Sequence, residues 1–201
     1  MGRTQETEKM RSRIQRKKKN VLSGKEIGIG VTGSIAAYKS AEIVSYLHKH
    51  NAHVTVLMTK SATKFIAPLT FQTLSHNRVI TDLFDDIYYL DSQHIALAEK
   101  LNLLLIAPAS ANIIGKIASG IADDILSTVI TSLDVSKVII APAMNEKMYL
   151  NPIIQKNIAT LKKTGYHFIE PERGSLACGF GIGRFTSLDK IIKEIESHIE
   201  S

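Results

Sequence analysis

Two runs constrain the fold more than any other feature: "LNLLLIAPAS" at 101–110 and "SKVIIAPAMN" at 136–145. Each is a continuous apolar stretch that ends in Ala-Pro and then turns polar. A strand without a polar face must be covered on both sides, which is the condition of a parallel sheet between helical layers. "EIGIGVTG" at 26–33, "HVTVLMT" at 53–59 and "YHFIEPE" at 166–172 read as further strands. Helical spacing follows the first strand, with Ala36, Ile43, Val44 and Leu47 on one face. "SATKFI" at 61–66 reads as a helix start capped by Ser61. The run 111–132 reads as a helix broken near Gly120, and 146–165 as a helical region closed by Gly165. Residues 187–201 form an amphipathic pattern with Ser187 at the N-cap. This alternation predicts an α/β fold: a three-layer, Rossmann-like or flavodoxin-like, doubly wound parallel sheet. One domain is expected over 26–201.

Ligands of such sheets bind beyond the carboxyl ends of the strands. That selects the turn at Gly33-Ser34, the segment Thr59–Ser61, the loop Pro108–Asn112 and the loop Pro142–Asn145. A charge count does not point elsewhere. The formal net charge is +6, but the first 25 residues carry +7 and the rest −1. The basic stretch "RSRIQRKKKN" therefore reads as a solvated, disordered extension over 1–25. The body has no basic stripe with interleaved aromatics, so no specific nucleic-acid partner is expected. A single cysteine allows no internal disulfide and suits a reducing, cytoplasmic compartment. No apolar run approaches the roughly 20 residues of a membrane span.

Gly28, Gly30 and Gly33 spell GxGxxG, but the first two fall inside the strand rather than at the turn. The second strand ends in Met58-Thr59-Lys60, without an acid for a ribose 2′-hydroxyl, so a dinucleotide reading is poor. What remains is a tight turn whose N–H groups and Ser34 hydroxyl could hold phosphate, or which merely caps a helix. In "APASAN", Pro108 is expected to stop the ladder, and Ser110 and Asn112 then offer polar contacts or an ordinary cap. "APAMNEKMY" repeats that logic, with Asn145 at a helix start and Met148 close behind. His94 lies just before the third strand, and seven histidines in the chain leave it undistinguished by composition. No His/Cys spacing resembles a metal site, and there is no GxSxG elbow. Cys178 sits among Gly174, Gly179, Gly181 and Gly183, followed by Arg184; that glycine density predicts a flexible segment able to close over a ligand.

Taken together, "TGSIAAYK", His94 in "HIALA", "APASAN", "PAMNEKMY" and "LACGFGIGR" resemble the flavin-dependent cysteine decarboxylases. Within that family the likeness is to the coenzyme A branch, which acts on 4′-phosphopantothenoylcysteine. It runs from about Ile27 to Arg184. The resemblance implies FMN as cofactor, held by Gly33, Ser34, Ile35, Thr59, Ser61, Ser110, Ala111, Asn112 and Ala143. It implies His94, Asn145 and Cys178 as catalytic residues, with Asn145, Met148, Ala177 and Arg184 binding substrate. No metal is implied. Tyr149 stands where the family usually has Trp, and Ile113 where it usually has Thr.

The implied reaction oxidises the thiol-bearing carbon to a thioaldehyde, loses CO₂ to give an enethiol, and reduces that to 4′-phosphopantetheine. His94 would manage a proton or charge, Asn145 the carboxylate, and Cys178 the proton delivered last. Partners implied are the small-molecule substrate, further copies in a homotrimer or assembly of trimers, and a separate phosphopantothenoylcysteine synthetase, with no membrane. Flavin prenyltransferases and peptidyl-cysteine decarboxylases share the fold, and a non-catalytic flavin-binding regulator is the alternative of a different class.

Overall fold

A computed structural model describes residues 20–83, 93–177 and 179–201. Among these residues five parallel strands make the sheet: β1 (Glu26–Val31), β2 (His53–Met58), β3 (Leu103–Ala109), β4 (Val138–Pro142) and β5 (His167–Phe168), in the order β2-β1-β3-β4-β5. That is the flavodoxin-like order, with its reversal at β1/β3. The helices are α1 (Ser40–Lys49), α2 (Pro68–Ser75), α3 (Gln93–Lys100), α4 (Ala111–Ser119), α5 (Ile125–Ser132), α6 (Glu146–Tyr149), α7 (Pro152–Lys163) and α8 (Leu188–Glu200). No helix among the described residues is long and apolar enough to cross a membrane.

The continuous apolar runs divide by parity, as a doubly covered sheet requires. Leu103, Leu105 and Ala107 join Ile27, Ile29 and Val31 in one core with α1 and α8. Leu104 and Ile106 enter the opposite core with Ile113, Ile117, Leu126 and Ile158. On that second face β1 presents Gly28 and Gly30 after Glu26 at its start. A Cβ at Gly28 would lie 2.8 Å from Leu104 Cδ1, and one at Gly30 would lie 2.6 Å from Leu126 Cδ1. These glycines make room for leucines, which accounts for the misleading GxGxxG spelling.

Four expectations need correction. Leu22 is fully buried in the core and Asn20 Nδ2 donates to the His50 carbonyl at 2.7 Å, so residues 20–25 belong to the body. Residues 1–19 lie outside the described residues. Pro108 does not end the ladder: β3 pairs again at Ala109–Pro142 after a register shift. The Ser61 hydroxyl caps nothing; the short 3-10 turn Ala62–Lys64 follows, and Thr59 Oγ1 accepts the Ala62 N–H at 3.3 Å. Ser187 occupies the N-cap of α8 without a side-chain bond, and its own N–H donates to Glu172 Oε1 at 3.0 Å.

The break at Gly120 is as expected, with Gly120 left-handed at the end of α4. Asp124 then starts α5 with a reciprocal capping box through Ser127, and Lys116 Nζ reaches its carboxylate at 2.7 Å. Burial pushes the Asp124 carboxyl up, but the Lys116 and Ser127 hydrogen bonds outweigh it and hold the group below its ordinary value. A depressed folded pKa contributes stability above the unfolded value and loses it as pH falls through the folded one. Asp124→Asn keeps a capping oxygen but removes the charge facing Lys116, so it should cost up to about 1 kcal/mol at neutral pH. The deficit should shrink in acid, read from denaturant unfolding at both pH values.

Candidate active site

The carboxyl edge of the sheet is fastened by side chains that sequence reading did not single out. Thr32, 1% exposed at the end of β1, donates to the Pro108 carbonyl at 2.6 Å and accepts the Ser110 N–H at 2.9 Å. Ser40, fully buried at the start of α1, donates to the Ala107 carbonyl at 2.6 Å. The β1 turn is thereby locked to the β3 loop. Only Thr32 carried a sequence signal, as the polar residue that directly closes the apolar run of β1.

Within that frame several expected residues come together. Ser34 Oγ donates to the Ala143 carbonyl at 3.2 Å and accepts the Ala36 N–H at 3.4 Å, joining the first turn to the β4 loop. A Cβ on Gly33 would sit 2.6 Å from Ser61 Cβ, so only glycine lets these segments touch. Ile35 follows with its side chain 60% exposed. Ala143 is buried, and its N–H donates to the Ala109 carbonyl at 3.1 Å. Ser110 caps α4, its Oγ accepting the Ile113 N–H at 3.4 Å. The amides of Ala111 and Asn112 occupy the first turn, where helical N–H groups have no intrahelical acceptor and the dipole favours an anion. Ile113 is buried in the core, so its side chain packs between layers.

Asn145 caps α6. Its Oδ1 accepts the Lys147 N–H at 2.9 Å, which leaves the side-chain amide N–H groups as donors for a carboxylate. Met148 is half exposed behind it. Tyr149 is buried and donates to Glu170 Oε2 at 2.9 Å; burial and then this carboxylate push its phenol up to about 12. The Tyr149 ring thus occupies an enclosed aromatic slot with its hydroxyl paired.

The glycine-rich segment is not the loose loop expected. β6 (Glu172–Leu176) and β7 (Gly179–Arg184) pair antiparallel as a hairpin. Its glycines answer to neighbours: a Cβ at Gly174 would meet Arg184 Cδ at 2.8 Å, and one at Gly181 would meet the Glu146 carboxyl carbon at 2.5 Å. Arg184 is accordingly laid across Gly174. Ala177 is exposed beside the turn, and Cys178 lies outside the described residues. His94 stands apart from these contacts, half-buried in the first turn of α3. The far end of that helix is anchored by Lys100 to Glu26, at 3.0 Å, where β1 begins. Its first turn therefore points back toward the carboxyl edge.

Comparison with known proteins agrees with this geometry. The Flavoprotein family pattern matches residues 15–200. A coenzyme A biosynthesis bifunctional protein CoaBC of Borreliella burgdorferi is 50% identical over 85% of this chain and 44% of its own length. The chain thus spans under half of that relative. A probable phosphopantothenoylcysteine decarboxylase of Streptococcus mutans is 48% identical over 87% of this chain and 99% of its own. Among solved structures, a PPC decarboxylase cysteine-to-serine mutant complexed with pantothenoylaminoethenethiol superposes with TM-score 0.80 at 29% identity. It covers 89% of this chain and 100% of that one. The FMN-dependent cysteine decarboxylase SpaF superposes with TM-score 0.77 at 26% identity, covering 90% and 99%. A three-layer sheet of this order, with these turns at its carboxyl edge and this extent of match, places the chain in the flavoprotein family.

Proposed function

We propose that the chain catalyses FMN-dependent decarboxylation of 4′-phosphopantothenoylcysteine to 4′-phosphopantetheine and CO₂. The observation that carries this reading is the meeting of three turns at one edge: Ser34 bonded to Ala143, Ser110 fixed through Thr32, and Asn145 next to the hairpin strand that follows Cys178. The residues fit an FMN group. The Ser34 turn and the first turn of α4 supply N–H donors for a phosphate, and the close approach of Gly33 to Ser61 draws the β1 and β2 turns together beside them. Gly33, Ser34, Ile35, Thr59, Ser61, Ser110, Ala111, Asn112 and Ala143 would hold it. Bound FMN would accept a hydride equivalent from the thiol-bearing carbon and return it after CO₂ has left.

The chain's own residues do the rest. Asn145 donates to the substrate carboxylate, with Met148 walling that pocket and Ala177 and Arg184 bordering it from the hairpin. His94 handles the proton while the thiol carbon is oxidised and the carboxylate departs. Cys178 gives its proton to the enethiol carbon. The structurally similar PPC decarboxylase cysteine-to-serine mutant, complexed with pantothenoylaminoethenethiol, supports that last role. We further propose a homotrimer or an assembly of trimers, working in the cytoplasm with phosphopantothenoylcysteine synthetase supplying the substrate; the bifunctional relatives support the latter link.

The test is purified protein assayed for bound flavin and for CO₂ release. Yellow protein releasing CO₂ from phosphopantothenoylcysteine, and not from a peptide ending in cysteine, is the expected result. The reverse preference makes it a peptidyl-cysteine decarboxylase, and flavin binding without release from either makes it a regulator.

A further inference from the structure

We propose that Glu146 is a positioning residue for this reaction, holding strand β7 at a fixed distance from the turn that carries Asn145; the role rests on the functional reading above. Three contacts converge there. The Ile182 N–H donates to Glu146 Oε1 at 3.0 Å. The carboxylate lies flat on Gly181, where a Cβ would approach each of its oxygens to 2.7 Å. On the other side of Asn145, the Met144 N–H donates to the Gly183 carbonyl at 3.1 Å. Gly183 itself has φ +116°, and a Cβ there would collide with the Met144 carbonyl oxygen. Asn145 is thus bracketed by two residues that both grip β7, one through backbone and one through its carboxylate.

The grip needs a side chain of this length and an acceptor at its end. The Ile182 amide turns to Glu146, so its hydrogen bond is made outward from the hairpin rather than across it. Among the described residues, Glu146 is the one side chain that bonds to the backbone of β7, and it lies next in sequence to a proposed substrate ligand. It touches no reacting atom in this scheme. It sets where the hairpin, and with it the chain flanking Cys178, stands relative to Asn145. A displacement of about 1 Å at such a distance can cost 10²-fold in rate.

The experiment uses flavin-loaded wild type, Glu146→Ala, Glu146→Gln, Ile182→Pro and the Glu146→Ala/Ile182→Pro double variant. Glu146→Ala should lower kcat by about 10- to 100-fold, with KM, flavin content and Tm little changed. Glu146→Gln keeps an acceptor oxygen and should restore kcat to within about threefold of wild type. Ile182→Pro removes the same N–H, which faces Glu146 rather than strand β6, and should lower kcat to a similar extent. The double variant should then be no worse than either single one. Wild-type kcat in Glu146→Ala overturns the role, as does a glutamine variant as slow as the alanine one, or additive losses in the double. Flavin or Tm lost in step with kcat makes Glu146 structural and also overturns it. Wild type that binds flavin but releases no CO₂ from phosphopantothenoylcysteine overturns the functional reading itself, and is distinguished by that control alone.

Discussion

His94→Asn is expected to stay folded and yellow while losing decarboxylation by about 10²- to 10⁴-fold. Asparagine retains a hydrogen-bonding end of similar reach but is no general acid or base, so it removes the proton transfer proposed for the imidazole. The fold should tolerate the exchange. His94 occupies the first turn of α3, half-buried, whereas the packing of that helix is carried by Ala98 in the core, by Leu101 directly after its end, and by Lys100 on Glu26. None of the contacts that shape the proposed flavin edge, such as Ser34 to Ala143 or Ser110 to Thr32, involves it. Flavin absorbance and thermal unfolding report the first half of the expectation, and CO₂ release the second. A colourless but folded variant would instead assign His94 to flavin binding or assembly.

The parts of the fold legible in sequence are those set by local pattern. Unbroken apolar strands at 103–109 and 138–142 required two covering layers, and the parity of Leu104 against Leu105 shows both. The discounted dinucleotide motif follows the same logic, since Gly28 and Gly30 sit mid-strand against leucines. What stayed hidden depends on partners far along the chain. Thr32 matters through Pro108 and Ser110, 76 and 78 residues away. The glycine-rich hairpin carries one β-branched residue, Ile182, to announce its strands, and its glycines answer to Met144, Glu146 and Arg184 rather than to mobility. Ser187 resembles a cap by type, yet the acceptor that engages it belongs to Glu172. Residue type announced these polar groups, and only the packed sheet edge decided what each one binds.

Cys178→Ser should separate the two halves of the reaction. Oxidation of the thiol-bearing carbon and departure of CO₂ make no demand on an acid at position 178, so CO₂ release in the first turnover should persist. The enethiol left behind needs a proton on carbon as it is reduced. A thiol, with an ordinary pKa near 8.5, can supply that proton, whereas a serine hydroxyl is a far weaker acid. Loss of a positioned acid typically costs about 10²- to 10⁴-fold, so the enethiol should accumulate ahead of 4′-phosphopantetheine. Mass spectrometry of quenched single turnovers distinguishes the two, since the enethiol lacks a pair of hydrogens. Normal product at the wild-type rate would remove Cys178 from the mechanism. Loss of CO₂ release along with product would mean instead that residue 178 acts before decarboxylation. In that case the hairpin serves substrate binding or oxidation, and the last proton must come from another group at the same edge.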